Sequence, residues 1–190
     1  MPVAETASTF CENIIFNASL KTATNEEKIM LIENSLQYLT QITVDILSRY
    51  KFETEVFARR QNEFLDSSAL QEIMLQAQRD SYGDGLNQDI LHPFMWLNKG
   101  HYYSAGRNFY NFPYAFGGLF ALGLYAQYEK EGDNFVEKYR NLLKATATAS
   151  CEDVAKLADV DTTSVKFWED SISQITSRID LYVELTSEKA

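Results

Sequence analysis

The chain has two cysteines, three prolines and two histidines in 190 residues, and each shortage excludes a class of protein. Cys11 and Cys151 have no cysteine or histidine close by in sequence, which rules out a metal-type pair or a disulfide framework and suits a reducing cytosol. His92 is followed by Pro-Phe-Met and His101 by Tyr-Tyr-Ser, so His-Glu-x-x-His is absent; histidines nine apart, one held before Pro93, do not share a helix face. No Gly-x-Ser-x-Gly occurs, and Gly117-Gly118 lacks the lysine context of a phosphate loop. No run of about 18 uncharged apolar residues is present to span a bilayer. The start MPVAETAST lacks the basic-then-apolar order of an export signal. Basic residues number 17 against 27 acidic ones, a formal charge of -10, which disfavours phosphate backbones. These absences describe a cytoplasmic chain with neither nucleic acid nor membrane as partner.

What is present points to helices. The eight glycines sit at positions 83 to 132, so both flanks can run as long helices around an irregular Tyr/Gly-rich middle. Ala4, Ala7, Cys11, Ile14, Ile15 and Ala18 recur at helical spacing and predict a first helix with one apolar face. Thr24-Asn-Glu-Glu27 matches a capping box opening a long second helix with the stripe Ile29, Ile32, Leu36, Leu39, Ile46 and Tyr50. Asp66 or Ser67 can cap a third, carrying Leu70, Ile73, Met74 and Ala77, which stops at Tyr82-Gly-Asp-Gly. From there to Phe112 the reading is loop or short irregular structure. A glycine-bearing helix follows Pro113 to about Lys130, a turn covers 131 to 133, and Phe135 to Leu143 is helical. Ser150 with Asp153 caps a short helix, and Asp161 or Thr162 the last, whose Val165, Trp168, Ile172, Ile175, Ile179 and Tyr182 form a seam expected to pack against another helix. With no alternating strand and no repeat, the fold class is all-α, a single helical unit over residues 1–190.

His101 to Tyr128 is the most unusual stretch: ten aromatic rings, six of them tyrosines, with four glycines and one histidine in 28 positions. Each phenol joins a large apolar body to one hydrogen-bonding tip, so beside a histidine such rings can form a wall that holds a polar ligand; they equally suit a buried aromatic helix with wet tips. Near the start, Glu5, Ser8 and Glu12 fall on roughly one side of a helix. A carboxylate followed one turn later by a hydroxyl can be an oriented metal ligand, or a solvated helix start in which acidic groups meet the positive end of the macrodipole.

Taken together these segments resemble oligoendopeptidase F, a relative of thimet oligopeptidase. Val3-Ala-Glu-Thr-Ala-Ser-Thr-Phe-Cys-Glu12 is similar to the segment bearing that family's third zinc ligand. Gly100-His-Tyr-Tyr103 and Phe109-Tyr-Asn-Phe-Pro-Tyr-Ala-Phe-Gly-Gly-Leu-Phe-Ala-Leu-Gly-Leu-Tyr125 resemble its substrate-binding aromatic segment. Asp153 to Ile172, with Phe167-Trp168-Glu169, resembles its last helices. The resemblance implies the C-terminal half of a gluzincin-type oligopeptidase catalytic domain. It places Glu5 as the zinc ligand, Ser8 and Glu12 in support, and His101, Tyr103, Tyr110 and Tyr114 as donors to substrate backbone and oxyanion. The family's His-Glu-x-x-His helix would precede Glu5, and it is not in these residues. The expectation is therefore a segment that acts on short peptides with zinc in the complete enzyme, joins an upstream segment carrying His-Glu-x-x-His, and alone binds no cofactor and is inactive. In a complete enzyme the apolar face of the first helix would pack against the rest of the protein; in this chain alone it would be exposed, and the chain could form a homo-oligomer. The alternative is a noncatalytic helical module that binds peptides or a partner chain, or a remnant without activity.

Overall fold

The computed structural model describes Val3 and residues 5–187. Its helices are α1 Thr6–Thr22, α2 Asn25–Thr40, α3 Ile46–Arg59, α4 Ser67–Tyr82, α5 Phe112–Glu131, α6 Asp133–Ala145, α7 Cys151–Lys156 and α8 Val165–Ser187. No strand occurs among the described residues, in agreement with the all-α class.

Local hydrogen bonds explain most of the boundaries. The backbone N–H of Thr24 donates to the Glu27 carboxylate at 2.8 Å while the Glu27 N–H reaches Thr24 Oγ1 at 3.4 Å, a reciprocal cap for α2. Asp66 accepts from Ala69 N–H at 2.9 Å and Ser150 from Asp153 N–H at 3.2 Å, opening α4 and α7. Gly83 ends α4 with φ 54 and Gly132 separates α5 from α6 with φ 60, backbone values that favour glycine. The last helix begins at Val165; Asp161 accepts from Thr163 N–H at 2.8 Å and closes a turn instead of capping it.

Two compact units emerge, one formed by the chain up to Leu39 and from Phe116 on, the other by Thr40–Ala115. The core of the first gathers Phe10 of α1, Phe120 and Leu124 of α5, Phe135 and Leu142 of α6 and Val154 of α7. Phe10 stacks on Tyr139 at 4.1 Å and meets Tyr125 edge-on at 6.1 Å. A Cβ at Gly123 would lie 2.4 Å from the Phe167 ring and 2.6 Å from Ser171 Oγ, so glycine there lets α8 approach α5 closely.

The apolar faces of α1 and α8 are turned in part outward. On α1 the buried side chains are Thr6, Thr9, Phe10 and Asn13, while Cys11, Ile14 and Ile15 are exposed; Ala4 lies outside the described residues. On α8 the buried residues are Ser171, Arg178 and Leu185; of the predicted seam, Val165, Ile172 and Ile179 are exposed while Trp168, Ile175 and Tyr182 are half-buried, with Trp168 packed on the core. The physical reason is polar: Arg178 of α8 donates to Asn13 Oδ1 of α1 and to Ser35 Oγ of α2, and its guanidinium lies 4.2 Å from the centre of the Phe16 ring. These contacts, with the notch at Gly123, choose the inward side of both helices. The stripe drawn from Ile29 to Tyr50 also fails at its end, because Gln41–Asp45 forms a π turn that shifts the helical phase and leaves Tyr50 exposed.

Candidate functional site

In the Thr40–Ala115 unit, α3 and α4 enclose a small core of Phe52, Ile73, Met74 and Ala77, onto which Met95, Trp96 and Tyr102 pack. Phe52 lies 5.4 Å from Tyr102 and 6.4 Å from Trp96, ring centre to ring centre. The contacts anchor two short 3₁₀ segments, Met95–Asn98 and Gly100–Tyr103. Tyr102 is thereby a core residue, its phenol pushed well above the usual range by burial. Its neighbour Tyr103 faces out, 62% exposed, into an open groove of about 450 Å³ also lined by Glu53, Phe57, Arg60 and Asn108. The larger groove, about 760 Å³ along α3 and α4, is lined by charged side chains such as Lys51, Arg59, Glu72 and Asp80 and holds none of the predicted donors.

Three of the four predicted donors meet. His101 stacks on Tyr110 with ring centres 4.9 Å apart and 27° between planes, and Tyr110 meets Tyr114 edge-on at 6.3 Å. The Arg107 guanidinium lies 5.5 Å from the Tyr110 ring. Among the described residues no hydrogen bond engages the His101 ring or the hydroxyls of Tyr103, Tyr110 and Tyr114, so these tips are available to a ligand. Tyr103 is not part of the stack.

The turn that carries Tyr110 is held by a buried polar face of α3 that hydrophobic periodicity does not reveal. Asp45, Ser48, Arg49 and Glu53 are all buried. Glu53 Oε1 accepts the backbone N–H of Phe109 at 2.8 Å, and Arg49 Nη1 donates to Asn111 Oδ1 at 2.9 Å. Arg49 also pairs with Asp45, which accepts from the Tyr82 hydroxyl at 3.3 Å. Burial raises the Glu53 carboxyl, against the Phe109 N–H, which lowers it. Burial and then Arg49 lower the Lys99 ammonium, and burial with Asp45 pushes Tyr82 up to about 12. Phe109 adopts φ 57, uncommon for a bulky residue, with its ring 5.5 Å from both Tyr50 and Phe57. Asp45, Arg49 and Glu53 recur at steps of four, the one sequence signal that could have found them.

In the other unit, Glu5 immediately precedes α1. Ser8 Oγ lies 3.0 Å from the Glu5 carbonyl oxygen and 3.3 Å from its carboxylate, so its hydroxyl can orient that group; Glu12 is exposed and hydrogen-bonds neither. Among the described residues no three His, Cys, Asp or Glu side chains converge on a point that could hold a metal ion. One carboxylate falls short of the three protein ligands a zinc ion needs, so these residues do not by themselves fit one.

The profile of peptidase family M3 matches residues 1–174. The chain belongs to peptidase family M3. Among relatives, it is 29% identical over 185 residues to oligopeptidase PepF of Bacillus subtilis, covering 96% of this chain and 27% of that protein. It is 28% identical over 186 residues to an oligoendopeptidase F homolog of Borreliella burgdorferi, covering 93% and 30%. The crystal structure of oligoendopeptidase-F from Enterococcus faecium superposes with a TM-score of 0.85 at 25% identity over 98% of this chain and 36% of that one. A Chlamydophila abortus structure, at 24% identity, shares the fold with the same TM-score over 97% of this chain. The chain thus spans less than a third of the length of these two curated M3 relatives, and both solved structures share its helical architecture.

Proposed function

We propose that this chain supplies the substrate-binding and oxyanion-stabilising part of a metalloendopeptidase that hydrolyses short peptides in the cytoplasm. The observation that carries the reading is the His101–Tyr110–Tyr114 group, three side chains in ring contact whose polar tips make no hydrogen bond to another described residue. When water attacks a peptide carbonyl, negative charge develops on oxygen; a preorganised donor aimed there contributes roughly 3–4 kcal/mol. His101, Tyr110 and Tyr114 are the donors proposed for that oxygen, and Tyr103, on the open groove, hydrogen-bonds the peptide backbone. Glu5, steadied by Ser8, contributes one carboxylate to the zinc site of the complete enzyme, with Glu12 in support, while the remaining ligands come from a segment carrying His-Glu-x-x-His. Alone, the chain is inactive. Membership in family M3 supports the peptidase assignment, two free cysteines support a reducing compartment, and no helix among the described residues is long and apolar enough to cross a membrane.

A second reading is a noncatalytic module that binds a partner chain or a second copy of itself, favoured by the exposed apolar residues Ile14 and Ile15 of α1 and Ile172 and Ile179 of α8. Titration of the chain with short peptides, followed through the His101 and tyrosine ring resonances, tests the proposed site. Shifts confined to the stacked group, and lost in Tyr110→Phe, are expected. Peptide-induced shifts at α1 and α8 that bypass His101 would favour the module.

A further inference from the structure

We infer that Arg49 and Glu53 form a clamp that places Tyr110 against His101, which makes them positioning residues for the donor group. Its bearing on catalysis rests on the proposed role of Tyr110, whereas the geometry stands apart from that role. The two side chains lie one helical turn apart on the buried face of α3 and hold the residues on either side of Tyr110, Phe109 by its backbone and Asn111 by its side chain. Glu53 takes the Phe109 N–H at 2.8 Å, and Arg49 gives a hydrogen bond to Asn111 Oδ1 at 2.9 Å. Both are buried, at 6% and 8% exposure, which limits competition from bulk water.

The clamp acts on a segment that would not otherwise hold its shape. Phe109 sits in the left-handed region, where a β-carbon is disfavoured, and a loop residue stays there only when its surroundings over-determine it. Here the constraints are the Glu53 carboxylate on its N–H and the Tyr50 and Phe57 rings beside its side chain. With Phe109 turned back in this way, the next residue, Tyr110, directs its ring onto His101. The arrangement carries a cost, since Arg49 Nε and Asn111 Nδ2 are buried without a partner among the described residues. Buried unpaired donors are uncommon and call for a reason, and exact placement of the turn provides one.

The test uses nuclear magnetic resonance on the full chain, with Glu53→Gln, Glu53→Leu and Arg49→Met. In the unaltered protein the Phe109 amide should exchange with solvent about tenfold or more slowly than the Asn108 amide, after correction for intrinsic rates, the factor one hydrogen bond to a charged acceptor supplies. His101 ring protons should show the shift that the Tyr110 ring imposes. Glu53→Leu and Arg49→Met should each abolish that shift, and Glu53→Gln, which keeps an acceptor oxygen, should retain it. Wild-type His101 shifts in Glu53→Leu would overturn the clamp, as would a Phe109 amide that exchanges as fast as Asn108; the exchange result decides the matter if Glu53→Leu fails to fold. Neither readout involves hydrolysis, so the clamp and the peptidase reading can fail separately.

Discussion

Arg178, in the middle of α8, donates to Asn13 Oδ1 of α1, 165 residues away in sequence. The guanidinium is buried and hydrogen-bonds the neutral side chains of Asn13 and Ser35, so its charge is solvated by dipoles and by the Phe16 ring. This contact determines which face of the helix next to Glu5 points inward.

Arg178→Met should lower unfolding stability by about 2 kcal/mol, because the aliphatic replacement fills space but leaves Asn13 Oδ1 and Ser35 Oγ without their donor. Denaturant titration measures it. Amides of α1 should lose more hydrogen-exchange protection than those of α6. An unchanged midpoint would show that apolar contacts alone hold α1.

Gly123→Ala should cost about 1–3 kcal/mol, the usual penalty of overpacking, since the new methyl collides with Phe167 and Ser171. Adding Ser171→Gly to the variant removes one of the two collisions and should recover part of the loss in thermal melts. A neutral Gly123→Ala would mean that α8 can move away freely.

Glu53 makes stability depend on pH in a defined direction. Burial raises its folded pKa above the unfolded value near 4.5, so in the window between the two the native state holds the extra proton. The stability contribution is full below that window and declines as pH rises through the folded pKa. Glu53→Gln removes the titration, so the stability of wild type relative to the variant should fall as pH rises above the unfolded value near 4.5 and through the raised folded pKa. Parallel curves for the two proteins would contradict it.

Zinc should bind the chain alone no better than a generic acidic surface does, because the one carboxylate at Glu5 falls short of the three protein ligands a zinc site requires. Calorimetry at neutral pH should show no stoichiometric submicromolar site; such a site would reveal a ligand set beyond Glu5.

The features legible in sequence are those that depend on short-range bonds. The Thr24–Glu27 box, the Asp66 and Ser150 caps and the Gly83 and Gly132 stops could be read because donor and acceptor sit within a few residues of each other. Which apolar stripe faces inward was not legible. Ile14, Ile172 and Ile179 repeat at helical spacing yet lie exposed, since periodicity identifies a face without naming its partner. The aromatic donors could be singled out by their density around His101, but the polar grip on them could not. Hydrophobic patterning counts Arg49 and Glu53 as solvent-facing, and only the fold brings them to Asn111 and Phe109, more than fifty residues on.

The most direct measurement of the central claim is cleavage of a quenched fluorogenic oligopeptide by this chain mixed with a segment that supplies a His-Glu-x-x-His helix. Neither piece alone should cleave it, and the mixture should do so with chelator-sensitive kinetics. In that mixture Tyr110→Phe should lower kcat by about 10²–10³, the loss for one oxyanion donor, with little change in KM. Glu5→Ala should abolish turnover. Full activity in the mixture with Glu5→Ala and Tyr110→Phe together would contradict the assignment of both residues.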